Sequence, residues 1–419
     1  MDGKRKKPEL LMPAGNLEIL KTAVVYGADA VYLSGETLSL RAGAKNFSMP
    51  EIREGVAFAH AHGAKVYVAA NIFAHNADLR PALKFFLLLK NIQPDALILS
   101  DPGLFSMAQE VCPEIPVHIS TQANNTNYGD WLFWHKLGVK RLVSARELSL
   151  TELREIRASI PEEMEIETFV HGAMCVSYSG RCLLSNALTG RDANRGACTH
   201  PCRWKYHLVE ETRPGEYMPV FEDERGTYLY NSRDLCMIEH VPELADARLD
   251  SWKIEGRMKT ALYVATVTRA YRQAIDDYFE DPEKYYRRLP WYQEEVRKCT
   301  TRRFTTGFFF GRPGAEAQTY EDSTYCRDYI YLGTIETEEG RPFLRQKNKF
   351  SLGEELELMR PDGSNLPVTV RSLTDEEGHA LESAPHPAQK IYPDLGISLR
   401  EYDVLRKRAQ KEDEKHEHS

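Results

Sequence analysis

Five of the chain's eight cysteines, Cys175, Cys182, Cys198, Cys202 and Cys236, fall within one stretch of 62 residues. Grouped thiols are either metal ligands or disulfide halves. A chain with no recognisable secretory leader favours ligands, because disulfides do not persist in a reducing compartment. The intervals between them are six, fifteen, three and thirty-three residues. None is the two-residue knuckle of common zinc folds. Four thiolates suit tetrahedral zinc or an iron–sulfur cluster alike, so spacing leaves both open, with unliganded thiols as a third reading. Cys112, Cys299 and Cys326 stand alone and read as ordinary thiols.

A second set of candidates lies just past the ends of short apolar runs: Asn71, Asp101, Ser120, Thr121, Gln122, Arg146, Glu147, His171, Glu255 and Arg257. Arg146, Arg257 and Lys253 would form a cationic cluster for a carboxylate or phosphate, since a guanidinium donates two parallel charge-assisted bonds. Glu147 and Glu255 could equally close a structural ring of charges with them. His171, four residues before Cys175, is a candidate for proton transfer beside the metal; a hydrogen-bonded structural histidine is the other reading. Asn71 and Gln122 offer uncharged donors and acceptors for a substrate. Taken singly, Ser120 or Asp101 reads as a helix cap.

These residues need a scaffold that gathers strand ends. Eight apolar runs qualify as strands: 9–12, 30–33, 65–70, 96–99, 117–119, 141–144, 165–170 and 251–255. Several are nearly continuous in Val, Ile, Leu, Ala and Tyr, as strands buried on both faces should be, and helix-like segments separate them. Gly27, Gly63 and Gly138 each precede a strand where a left-handed residue would end a helix. Eight such units close most naturally into a (β/α)8 barrel with its chemistry at the C-terminal strand ends. The runner-up, a doubly wound open sheet, lacks its glycine fingerprint: Pro13-Ala14-Gly15-Asn16 follows the first strand.

The expected organisation is a disordered basic start (1–8), a barrel (9–280) with a cysteine-rich insertion (171–236), and a Tyr-, Arg- and Trp-rich connector (281–326). A small antiparallel β-barrel domain (327–402) and a solvated charged tail (403–419) complete it. Strands are expected over 329–336, 350–359, 367–373 and near 396–400, with the helix over 260–278 closing the barrel. The 419 residues, 42% hydrophobic and 28% charged, can bury a large core. No apolar run approaches the roughly 20 residues of a membrane span, and the expected location is the cytoplasm. A formal charge of -8 excludes a uniformly basic coat but not a local positive groove for nucleic acid.

Residues 167–185, ETFVHGAMCVSYSGRCLLS, strongly resemble the signature of the U32 collagenase-like peptidase family. The likeness extends over nearly the whole chain: ELLMPAG from Glu9, GADAVY from Gly27, NSRDLC from Asn231 and KIEGR from Lys253. FEDERGTY from Phe221 and NKFSLGEELELM from Asn348 are most like the tRNA-hydroxylating branch of that family. The resemblance implies an oxygen-independent hydroxylase that carries a [4Fe-4S] cluster, requires prephenate, a dicarboxylate, and makes 5-hydroxyuridine at the wobble position in the tRNA anticodon loop. It implies Cys175, Cys182 and Cys198 as cluster ligands, with the fourth at Cys236 or Cys202; the segment of Cys236 returns toward the barrel mouth and favours it. Zinc is the alternative metal. A U32-type peptidase, or a hydroxylase of rRNA or of a quinone precursor, is the alternative function, though no HExxH or GxSxG motif is present. Trp291, Tyr292 and Phe308 to Phe310 are candidates for stacking on bases, and Arg287, Arg288, Arg302 and Arg303 for phosphates, against a plain role in packing the domain junction. Homo- and hetero-oligomers are both open.

Overall fold

The computed structural model describes residues 6–36, 38, 46–174, 185, 189, 191, 199, 221–223, 226–228, 233–299, 302–311 and 328–409. Cys175, Cys182, Cys198, Cys202 and Cys326 lie outside them, as do the first five residues and the chain beyond 409. Eight parallel strands form the centre: β1 Glu9–Pro13, β2 Ala30–Leu33, β3 Lys65–Ala69, β4 Ala96–Leu99, β5 Val117–Ile119, β6 Arg141–Val143 and β7 Glu165–Gly172, with Ser251–Ile254 as the eighth. Ser251–Ile254 is β11 in chain order, after the short β8 Phe221–Asp223, β9 Gly226–Tyr228 and β10 Asp234–Cys236. Each barrel strand pairs with the next, and β11 pairs with both β7 and β1, which closes the ring.

Period-two alternation sorts the strand side chains into two cores. Leu11, Ala30, Tyr32, Tyr67, Ala69, Ala96 and Ile98 point into the barrel. Their neighbours Leu10, Met12, Val31, Val66, Val68, Leu97 and Leu99 face outward against the helices. Those helices are α1 Leu17–Val25, α2 Met49–Ala61, α3 Asn76–Ile92, α4 Pro102–Val111, α5 Tyr128–Lys136 and α6 Leu150–Ser159. Local chemistry starts them: Asn16 Oδ1 accepts from the Ile19 amide, Asp101 from that of Leu104, and Ser48 and Ser149 form capping boxes with Glu51 and Glu152. Gly27, Gly63 and Gly138 have φ of 104°, 76° and 84°, the left-handed stops expected.

The second domain departs from expectation in several places. It is a curled antiparallel sheet of β13 Tyr329–Glu338, β14 Arg341–Gln346, β16 Glu355–Met359, β17 Asn365–Thr369, β18 Ser372–Thr374, β20 Lys390–Asp394 and β21 Val404–Arg408, with β15 Phe350–Ser351 and β19 Ser383–Ala384 pairing as a separate two-stranded ribbon. The run 350–359 breaks at Gly353 (φ 79°), and 367–373 divides between β17 and β18. Residues 396–400 are not a strand; Gly396 (φ 73°) turns the chain there, and the pairing strands lie on either side. Nor is 403–408 a solvated tail. Val404, Leu405 and Arg406 are buried, because β21 pairs between β13 and β16 at the centre of the sheet.

The connector also begins with order: Asp281 caps a helix over Pro282–Arg297, packed along the helix Ala261–Glu280. The latter is buried on nearly every side from Ala261 to Tyr271, lying between the barrel and the second domain. Arg269 donates from this helix to the carbonyls of Arg360 and Ser364, and Glu295 bonds both Arg269 (2.5 Å) and Arg406 (2.8 Å). Tyr26 closes the same junction with hydrogen bonds to the carbonyls of Met359 and Tyr402. No helix among the described residues is long and apolar enough to cross a membrane.

Candidate active site at the barrel mouth

The barrel interior is charged at its N-terminal end. Arg141 binds Glu9 (2.5 Å) and Glu165 (2.6 Å), and Lys253 binds Glu167 (2.7 Å). His118 sits beside them, its pKa driven far down by burial and by Arg141, so it is neutral. Burial would raise the pKa of Glu9, but Arg141 and three hydrogen bonds outweigh it and hold the carboxylate ionised. The sequence signal for this network was present: charged residues at inward positions of otherwise apolar strands.

Lys253 therefore belongs to the interior and not to an open cationic cluster. Its ammonium is taken by Glu167 and lies 4.3 Å from the centre of the Tyr32 ring. Above it, the Arg146 guanidinium stacks on Phe169 at 3.9 Å and donates to Glu255 at 2.8 Å. Phe169 is thus covered by Arg146 on the solvent side and approached by Lys253 (5.4 Å) from below. Arg257 is buried and donates to Ser34 Oγ at the end of β2. The alternative of charges answered by carboxylates holds for Arg146 and Glu255.

Across the mouth, Asn71 donates to Ser120 Oγ at 3.2 Å. Gln122 follows on a short turn, with its buried Oε1 lacking a hydrogen-bond partner among the described residues. An unpaired buried acceptor costs free energy unless a ligand supplies a donor, so this amide is the part of the mouth suited to a substrate N–H or O–H. Asp101 caps α4, Ser120 accepts from the Gln122 amide, and Thr121 donates to the carbonyl of Ser144; these three are local ties.

Two glycines fix the turn that carries Glu255 and Arg257. A Cβ on Gly172 (φ 111°) would lie 2.5 Å from the Glu255 carbonyl oxygen, and one on Gly15 would collide with that of Arg257. The PAG at the end of β1, the HG that ends β7 and the KIEGR of β11 are therefore one packed unit, which only the folded chain reveals.

His171 is placed differently from the expectation of a proton-transfer group at the mouth. The register between β7 and β11 slips, so that Phe169 pairs Lys253 on the inner face whereas His171 pairs Ile254 on the outer one. The imidazole packs among Tyr263, Tyr271 and Phe304, with ring centres 5.4–6.0 Å away. Burial, aided by Lys259, lowers its pKa to about 3, so it is neutral at physiological pH. Its Nδ1 lies 3.4 Å from the Tyr271 hydroxyl, and its buried Nε2 has no hydrogen-bond partner among the described residues.

Cys236 stands on β10 opposite His171, on that same outer face. Its thiol is buried and its pKa pushed up to about 12, chiefly by burial, with Tyr271 hydrogen bonded to it. A thiol there remains protonated until a metal's charge favours the thiolate. Described residues flanking the other cysteines converge in two places. Ser185 and Thr199, near Cys182 and Cys198 in sequence, are hydrogen bonded at 3.1 Å. Met174, next to Cys175, and Leu235, next to Cys236, both press on the open side of Gly307. The connector strand β12 Phe304–Thr305, which the sequence pattern does not announce, pairs with β10 and covers this region.

The base-contact candidates of the connector are mostly internal. Tyr292 and Phe309 are buried, Tyr292 donating to Asp277; Arg302 is buried, and Arg288 is held by Asp277 and Gln273. Phe310 is 54% exposed, and Arg287 and Arg303 face solvent.

The model of peptidase family U32 matches residues 15–319, and that of the U32 C-terminal domain matches 327–406. The chain is 42% identical to tRNA hydroxylation protein P1 of Bacillus subtilis (strain 168), over 94% of this chain and 96% of that one. It is 39% identical to tRNA hydroxylation protein P of Escherichia coli (strain K12), over 90% and 92% of the two chains. It is 38% identical to the E. coli 23S rRNA 5-hydroxycytidine C2501 synthase over 65% of this chain and 40% of that one. The chain belongs to peptidase family U32, and within it is similar over nearly its whole length to the tRNA hydroxylation proteins.

Proposed function

We propose that this chain is a cytoplasmic tRNA hydroxylase that converts the wobble uridine of certain anticodons to 5-hydroxyuridine, without molecular oxygen and with prephenate as a required metabolite. The observation that carries the reading is the 42% identity to tRNA hydroxylation protein P1 over almost the full length of both chains. The rRNA relative's name also describes a pyrimidine carrying a 5-hydroxyl group.

Cys175, Cys182, Cys198 and Cys236 would hold a [4Fe-4S] cluster, with Cys202 the alternative fourth ligand and zinc the alternative metal. When bound, a cluster supplies one-electron redox chemistry beside the barrel mouth. Arg146 and Arg257 carry the positive charge suited to a dicarboxylate such as prephenate, and Glu255 fixes the Arg146 guanidinium over Phe169. Asn71 and Gln122 would take polar edges of the base, which has to leave its stack to enter the mouth. His171, neutral and turned outward, packs the wall behind.

The test is nucleoside mass spectrometry of tRNA from cells with and without the gene, grown with and without oxygen. Deletion should remove 5-hydroxyuridine and its derivatives. The intact chain should restore them, and Cys182→Ala should not. Restoration by Cys182→Ala rejects the cluster; 5-hydroxyuridine unmoved by either deletion or overexpression rejects tRNA as the substrate.

A further inference from the structure

A cleft of about 600 Å³ opens between helices α2 and α3, lined by Glu36, Phe47, Met49, Arg80, Pro81, Lys84, Phe85 and Leu88. We infer that it is a nucleotide subsite, which receives the base and phosphate of a residue flanking the modified nucleoside of the RNA; the inference rests on the tRNA-hydroxylase reading above. Nothing in the mouth chemistry uses these side chains.

The shape comes from the sequence in a direct way. Phe47 and Phe85 are nearly fully buried and close the bottom of the cleft, whereas Arg80, Pro81, Lys84 and Leu88 stand exposed around it. Arg80 and Lys84 lie one helical turn apart on α3 and so project from one face. Neither has a hydrogen-bond or ion-pair partner among the described residues, so both charges are available to a phosphate. An apolar cleft with two cations at its rim suits an unstacked base and its phosphate taken together. Glu36, exposed at the rim, has only acceptors and suits the N–H donors of a base edge.

The position points to the same ligand. Gly35 packs so closely on Phe85 that a Cβ would stand 2.6 Å from the ring, and it bridges to Phe47. The preceding residue, Ser34, receives the Arg257 guanidinium at the barrel mouth. Ser34 and Gly35 are both buried, and they pack Arg257 on one side and Phe85 on the other, which sets the cleft beside the mouth. The subsite would then take a nucleotide that neighbours the base held in the mouth.

The experiment compares the full-length wild-type chain with Arg80→Glu/Lys84→Glu and with Arg154→Glu, an exposed cation on α6 outside the cleft. Binding of a fluorescein-labelled anticodon stem–loop is titrated at several salt concentrations, with circular dichroism and iron content as folding controls. The double variant should bind roughly tenfold or more weakly. Its salt slope should fall by about one for each phosphate that the cleft no longer neutralises. Arg154→Glu should match wild type. Ultraviolet crosslinking of bound RNA should join it to peptides containing Phe47 or Phe85. Affinity and salt slope unchanged in the double variant overturn the subsite while leaving the tRNA reading intact. A wild-type chain that binds no RNA overturns both.

Discussion

Cys236 and His171 stand opposite each other across the antiparallel ladder of β10 and β7, on the face turned away from the barrel interior. The thiol is thereby brought to the strand that runs on into Cys175, and the imidazole is fixed among aromatic rings as its neighbour. Replacing Cys236 with Ala should abolish stoichiometric iron and the broad visible absorbance of a cluster in anaerobically purified protein, whereas Cys202→Ala should retain both. The reverse result would transfer the fourth ligand to Cys202.

Arg146 is held between Phe169 and Glu255, so its guanidinium is oriented before any ligand arrives. Arg146→Ala should reduce tRNA hydroxylation on the order of tenfold to a hundredfold at unchanged iron content, the usual cost of removing a charge-assisted, oriented interaction. Arg146→Lys should recover little, because an ammonium cannot make the paired donor geometry. Full activity in the Ala variant would remove the mouth from the chemistry.

Gly172 and Gly15 leave room for the turn that carries Glu255 and Arg257. Gly172→Ala combines a left-handed backbone with a close approach to Glu255, and should lower stability by about 1–3 kcal/mol. Its hydroxylation should fall further than unfolding accounts for at the assay temperature, since the displaced turn carries the partner of Arg146. Chemical denaturation alongside the activity assay separates the two effects.

The Lys253–Glu167 pair distinguishes a structural from a ligand-binding lysine. Lys253→Met leaves Glu167 buried with only the more distant Arg141 (3.5 Å) to answer it, and should cost about 3–5 kcal/mol in urea denaturation. Lys253→Met/Glu167→Leu should recover most of that loss. If the single variant kept wild-type stability and only raised the KM for tRNA or prephenate, Lys253 would be a binding residue.

Glu295 sets the acid limit of the domain junction. Burial alone would raise its pKa, but Arg406, Arg269 and Lys298 together lower it to about 2 from an ordinary 4.5. A depressed folded-state pKa contributes stability that is complete above the unfolded value and is lost as pH falls. The melting temperature should therefore decline from about pH 4.5 toward pH 2 through this group, and Glu295→Gln should flatten part of that decline while lowering stability at pH 7.

The eight barrel strands were legible because their side chains are buried on both faces, which leaves continuous apolar runs, and because Gly27, Gly63 and Gly138 end the preceding helices. The family likeness was legible in contiguous motifs. The second domain was less legible: a core strand such as Val404–Arg408 carries Arg406 and Lys407, and nothing local tells a solvated charge from one paired with Glu295 and Glu357.

The sequence alone determined which residues exist to do chemistry: the grouped thiols, the arginines and carboxylates after strand ends, and a scaffold that collects those ends. Only the tertiary structure decided which way they face. A single slip between Lys253 and Ile254 sends Phe169 inward and His171 outward, and the partners of Lys253 and Arg146 lie 86 and 109 residues away in sequence. Side-chain direction in a strand reverses with each residue, so a bulge that no composition reveals is enough to exchange a mouth residue for a wall residue.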